Sequence, residues 1–219
     1  MTAPGTSGSA GFTVLLVCEG NICRSPVAEV LLRRALRGAP GVQVASAGMR
    51  ARTGSPIEPE MARLLGDLAP PDFAARQVTG AVVTSADLVL AMTRDQRSAL
   101  VQLAPGCLRR TFTLREFAEL ALLVRHDRPA AAGSAVEALA ELTLLAPRHR
   151  DRRDAGRRWD DVEDPFGRSA EEHARAHALI EAAVRDISVA VVGSTGVPVE
   201  GQLPAPRDPV PGARPGVPG

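Results

Sequence analysis

The sequence predicts an α/β domain built on a four-stranded parallel sheet with helices on both faces. Two observations carry that expectation. Short apolar runs of strand length alternate with stretches of helical period, and the first run, Phe12-Thr-Val-Leu-Leu-Val-Cys18, is nearly continuous in its apolarity. Such a run marks a strand covered on both sides, and strands joined through helices run parallel with right-handed crossovers. Ligands in such sheets bind beyond the carboxyl ends of the strands, which is where the first strand delivers Cys18.

The elements follow in order. After the first strand, Ser25 suits an N-cap and Pro26 the first helical position, and Val27, Val30, Leu31, Ala35 and Leu36 form an apolar face that ends near Gly38. Val42 to Ala47 reads as a second strand, Glu58 to Leu68 as a helix and Asp87 to Met92 as a third strand. Arg94 to Leu103 reads as a helix ended by Pro105-Gly106, Arg110 to Leu114 as a fourth strand, Leu114 to Val124 as a helix and Ser169 to Val191 as a long last helix. Between these, Arg125 to Arg158 is an expanded stretch. It holds an Ala/Leu helix, Gly133 to Leu145, and an arginine-rich connection whose interleaved aspartates suggest a solvated linker.

Both ends are compositionally biased, so 1–11 and 193–219, with seven prolines from Pro198 onward, are expected to be disordered around a domain of 12–192. No apolar run reaches the length of a membrane span, and 1–11 lacks the pattern of a secretory signal. The balance of 26 basic against 25 acidic residues gives no field that would gather nucleic acid. A chain of 219 residues needs no disulfide or metal to fold, so its three cysteines are free to be chemical, and their small odd number points to a reducing cytoplasm. The histidines, His126, His149, His173 and His177, have no accompanying ligand set, so no metal and no cofactor is expected.

The chemistry concentrates in Cys18-Glu19-Gly20-Asn21-Ile22-Cys23-Arg24-Ser25-Pro26, between a buried strand and a helix N-terminus. A loop of this length can turn successive amides inward to make a nest for a tetrahedral oxyanion, reinforced by the helix dipole. Gly20 permits a backbone angle that other residues resist, and Asn21 tolerates positive φ. Arg24 can fold its planar fork over two oxygens of the anion. The positive potentials of that cradle favour a thiolate at Cys18, a nucleophile for in-line displacement at phosphorus. Ser25 can donate to the sulfur. Cys23 is open between two roles, a packed thiol and a protective disulfide with Cys18, and Cys107 reads as an inert thiol. An acid is needed for the departing oxygen, and Asp164, in Glu163-Asp164-Pro165-Phe166-Gly167 before the last helix, is the candidate.

At these residues the sequence resembles the low-molecular-weight protein tyrosine phosphatases of bacterial type. The resemblance runs through Cys18 to Pro26, Ser46-Ala47-Gly48, Ala86 to Thr93 and Asp164 to Gly167. It implies a fold of the phosphotyrosine protein phosphatase I type, with Glu19 to Ser25 binding phosphate, the stated roles for Cys18, Arg24 and Asp164, and Asn21 and Ser46 holding the loop open. It also implies a phosphotyrosine protein or small phosphate monoester as substrate, and a tyrosine kinase as partner.

The departures concern the substrate cleft. Where the family commonly has an aromatic wall, this chain has Met49-Arg50-Ala51-Arg52, and the residue after Asp164-Pro165 is Phe166 rather than tyrosine. A cleft formed by Met49, Arg52 and Phe166 is expected to suit acidic phosphopeptides or a smaller monoester. Two alternatives share the phosphate loop: a thioredoxin-coupled arsenate reductase, for which Cys107 lacks a second relay cysteine, and a binding module without turnover.

Overall fold

A computed structural model of the chain describes residues 11–128, 133–153 and 160–195. Strand β1 (Phe12–Cys18) lies inside the sheet, paired in parallel with β2 (Val42–Gly48) on one side and β3 (Leu88–Ala91) on the other. Strand β4 (Thr111–Thr113) joins β3, giving the all-parallel order β2-β1-β3-β4. Side chains alternate along a strand, so β1 feeds two cores at once. Val14, Leu16 and Cys18 enter a larger apolar cluster, while Leu15 and Val17 enter a smaller one on the opposite face. β3 divides the same way, with Leu88 and Leu90 against Val89 and Ala91. That two-sided burial is why both strands are apolar apart from Thr13.

The larger cluster is covered by α1 (Arg24–Ala35), α2 (Pro59–Leu65), α5 (Leu114–Asp127), α6 (Ala135–Leu145) and α7 (Ala170–Thr195). The smaller is covered by α3 (Gly80–Ser85) and α4 (Arg94–Leu103). The helix expected over Glu58 to Leu68 is α2 followed by a 3₁₀ turn, with Glu58 as its N-cap accepting from the Met61 amide at 3.0 Å. Helix α3 was not anticipated, because six residues are too few to display a period.

Two expectations are corrected. Helix α1 begins at Arg24, one residue ahead of Ser25, and no side chain caps it; the Ser25 hydroxyl is engaged with Cys18 and Asn21 instead. The arginine-rich connection is not a solvated linker over its described part. Ala146–Arg152 is a 3₁₀ turn laid on α5, with Arg150 on Glu116 at 2.8 Å, Arg152 on Asp127, and Arg153 on Glu119 at 3.0 Å and Asp160 at 2.5 Å. Arg157 and Arg158 lie outside the described residues, as do the two biased ends, apart from Gly11 and the last turn of α7, which runs on to Thr195.

Candidate active site

Cys18 ends β1, and the chain turns through 19–23 into α1, so thiol, loop and helix N-terminus share one edge of the sheet. Backbone hydrogen bonds dictate the loop's shape. The amides of Met49, Arg50, Arg52 and Glu58 donate to the carbonyls of Cys18, Glu19, Gly20 and Ile22 at 2.9, 2.9, 3.0 and 2.9 Å. With those carbonyls turned outward onto the segment after β2, the loop's amides are left for the cleft, beside the uncapped N-terminus of α1.

Asn21 sets the turn. Its φ of 53° is the only positive value outside glycine among the described residues, and Gly20 adopts no such angle, which corrects the expectation for Gly20. Asparagine tolerates this region because its short amide bonds locally. Here the amide is spent in full: Nδ2 donates to Ser25 Oγ at 2.9 Å and to Ser46 Oγ at 2.8 Å, and Oδ1 accepts from the Arg76 amide at 2.9 Å. The Asn21 backbone N–H donates to Cys18 Sγ at 3.3 Å. Ser25 Oγ lies 3.0 Å from the same sulfur and donates to the Ala47 carbonyl at 3.3 Å.

Glycine is required instead at Gly48. A Cβ there would lie 2.7 Å from the Glu19 carbonyl oxygen and 2.9 Å from the Asn21 nitrogen. Its role and that of Arg76, whose Nε also donates to the Ser46 carbonyl at 2.6 Å, were missed in sequence. For Gly48 the only signal was the run Ser46-Ala47-Gly48; for Arg76 there was none.

Arg24 is 2% exposed. Its Nη1 donates to the Val162 carbonyl at 2.9 Å, its Nη2 meets Asp164 Oδ2 at 2.5 Å, and its Nε is buried without a partner. Nε and Nη2 are thus two parallel donors available to an anion that displaces Asp164. The Asp164 segment is itself anchored: Val162 N–H donates to the Met92 carbonyl at 2.8 Å, and Asp161 accepts from the Arg94 amide at 2.8 Å. The sequence candidates Cys18, Arg24, Ser25 and Asp164 are therefore brought to one place, across 146 positions of chain from Cys18 to Asp164 (164 minus 18).

The cleft above them measures about 270 Å³ and is rimmed by Arg50, Arg52 and Phe166. Met49 is not part of it. Two residues beyond Ala47, it points to the same face as Ala47 and packs on the smaller cluster. Cys23 lines the cleft, and burial, helped by the charges of Asp164, Cys18 and Glu58 and opposed by Arg24, pushes its thiol up to about 12. Cys23 is therefore a thiol at neutral pH, and all three cysteines are free. Cys107 is buried in the smaller cluster, away from the cleft. No group of three metal-ligating side chains stands together among the described residues. His173 instead joins α7 to α2, its Nε2 3.3 Å from Glu58 Oε2.

A sequence profile of the family described as low molecular weight phosphotyrosine protein phosphatase matches residues 13–129, just over half of the chain. The chain belongs to this family. As a low-molecular-weight phosphatase it is 40% identical over 108 residues to the Ralstonia nicotianae protein named probable low molecular weight protein-tyrosine-phosphatase EpsP, spanning 48% of this chain and 71% of that one. The solved tyrosine phosphatase AmsI of Erwinia amylovora shares the fold, with a TM-score of 0.58 at 21% identity over 84% of this chain and 95% of that one. The YwlE arginine phosphatase of Geobacillus stearothermophilus aligns with a TM-score of 0.58 at 26% identity over 81% and 90%. The family match contains the phosphate loop and Ser46 but ends before Asp164, so the place of Asp164 in this low-molecular-weight phosphatase rests on its contact with Arg24.

Proposed function

We propose that this chain hydrolyses the phosphate monoester of protein phosphotyrosine by two successive displacements at phosphorus. One observation carries the reading: the Cys18 sulfur, with the Ser25 hydroxyl 3.0 Å away, shares a cleft with the buried Arg24 fork and with Asp164 bound to that fork. In this reading the phosphate enters the amides of Glu19 to Ser25, takes Nε and Nη2 of Arg24, and releases Asp164. The Cys18 thiolate attacks phosphorus, an S–P bond forms as the P–O bond to tyrosine breaks, and Asp164 gives its proton to the phenolic oxygen. Water then attacks the cysteinyl-phosphate and passes a proton to Asp164. The S–P bond breaks, and Ser25 donates to the departing thiolate. Ser46 and Asn21 hold the loop in shape, and no cofactor takes part.

Phosphoarginine is the competing substrate, since one structural neighbour is named an arginine phosphatase. The mouth of the cleft favours tyrosine. Phe166 is 44% exposed there and can stack on a phenyl ring once Arg52 moves off it, while the cation of Arg52 opposes a guanidinium stem. The reading places catalysis in 12–192, with the biased ends outside it. A tyrosine kinase is the partner whose product the chain reverses. A reducing cytoplasm is the compartment, supported by three free cysteines. No helix among the described residues is long and apolar enough to cross a membrane.

The test is phosphate release from matched phosphotyrosine and phosphoarginine peptides. Release from phosphotyrosine should be faster, should fall by about 10³-fold or more in Cys18→Ser and by about 10²-fold or more in Asp164→Asn. Faster release from phosphoarginine, or full activity in Cys18→Ser, overturns the reading.

A further inference from the structure

We infer that Arg52 selects phosphotyrosine segments that carry a carboxylate beside the phosphorylated residue, an inference that rests on the phosphotyrosine reading. The two arginines at the rim differ in how their charge is used. Arg50 pairs with Glu19. Arg52 has no carboxylate partner among the described residues, and its guanidinium lies over the Phe166 ring, with Cζ 4.2 Å from the centroid. The backbone of Arg52 is tied down, its amide donating to Gly20 at 3.0 Å and its carbonyl accepting from Ser55 at 2.9 Å. The guanidinium can swing, but the residue cannot leave the mouth.

Phe166 lies two residues past Asp164 and is the one aromatic ring among the residues that line the cleft. For a phenyl ring to enter between it and Arg52, the two would have to stand about 7 Å apart, twice the roughly 3.5 Å contact of stacked carbon atoms. At 4.2 Å there is no such gap. A substrate ring that takes the Phe166 face must therefore displace Arg52. The lost cation–π contact is a weak one at an exposed position, but the displaced cation then stands in the mouth without a partner, because Glu19 is held by Arg50. A carboxylate one or two residues from the phosphotyrosine, about 3.5 to 7 Å along an extended chain, supplies that partner. A neutral flank does not. Binding of the ring is thereby coupled to the charge of its neighbours.

The experiment compares kcat/KM for two phosphotyrosine peptides that differ only in Glu or Gln flanking the phosphorylated residue, with an aryl phosphate as the check of turnover. It uses the full chain and its Arg52→Gln and Arg52→Lys variants. The wild type should favour the acidic peptide by about three- to fivefold, the yield of one exposed ion pair. The ratio should approach one in Arg52→Gln, survive in Arg52→Lys, and narrow with added salt. A wild-type ratio near one, a ratio that Arg52→Gln leaves in place, or one lost equally in both variants overturns the inference while the phosphotyrosine reading stands. Turnover of the aryl phosphate with neither peptide hydrolysed overturns that reading and the inference together.

Discussion

The phosphate loop depends on three residues, Gly48, Asn21 and Ser25, each suited by being small or by bonding at short range. Gly48 has the most to lose, since the atoms a methyl would strike are backbone atoms of Glu19 and Asn21 rather than the yielding end of a side chain. Gly48→Ala must push the loop away from β2 and with it every amide that faces the cleft. The expected cost is about 10²-fold in kcat/KM, the scale of a displacement near 1 Å at a reacting centre. It should come with a stability loss of about 1–3 kcal/mol for overpacking. Steady-state kinetics and denaturant unfolding measure the two, and an alanine variant with unchanged kinetics would show that the loop has room to give.

Among the elements, α5 is the one that ties the expanded stretch to the sheet. Thr113 and Glu116 close its N-terminus as a capping box, and Glu116 also receives Arg150 at 2.8 Å and Arg97 at 3.7 Å. Arg150 then lies over Phe112, with Cζ 4.8 Å from the ring centroid. One largely buried carboxylate thus serves a helix cap and two guanidiniums. Glu116→Ala removes the acceptor of the Thr113 N–H and the carboxylate partner of two part-buried guanidiniums, with an expected loss of about 1–3 kcal/mol by urea unfolding. A loss below about 0.5 kcal/mol, the scale of an exposed pair, would contradict this account. In the sequence these arginines, alternating with aspartates, had the look of a solvated connection because periodicity is read over neighbouring positions. Three of their carboxylate partners, Glu116, Glu119 and Asp127, stand 25 to 34 positions earlier on α5, and no local pattern marks them.

Across the whole molecule basic and acidic residues nearly balance, 26 against 25, and α7 closes the larger core over α1 and α5. α7 also carries the half-buried His177, whose Nε2 has no hydrogen-bond partner and which burial, opposed by Glu181, holds below its ordinary value of 6.5. A histidine lowered in the folded state binds more protons when unfolded. The stability that comes from keeping it neutral is therefore full above about 6.5 and drains as pH falls through the lower, folded value. The melting temperature should accordingly drop between about pH 6.5 and 5 more steeply in the wild type than in His177→Phe. Parallel profiles in the two proteins would refute the assignment to His177.

Neighbouring residues alone specify the buried strands and the phosphate loop. The runs at 12–18 and 88–91 announced buried parallel strands because two-sided burial removes nearly every polar position. Cys18, Arg24 and Ser25 were legible as a phosphate site because they sit within eight consecutive positions, where a strand, a turn and a helix start leave few arrangements. Asp164 was legible as a candidate only through its pairing with that loop. Tertiary structure alone decided that Asn21 rather than Gly20 takes the left-handed angle, that Gly48 admits no side chain, that Met49 faces the smaller core, and that Arg52 covers Phe166. Each of these is settled by distances between segments that the chain does not join, and packing sets such distances only after the sheet has formed.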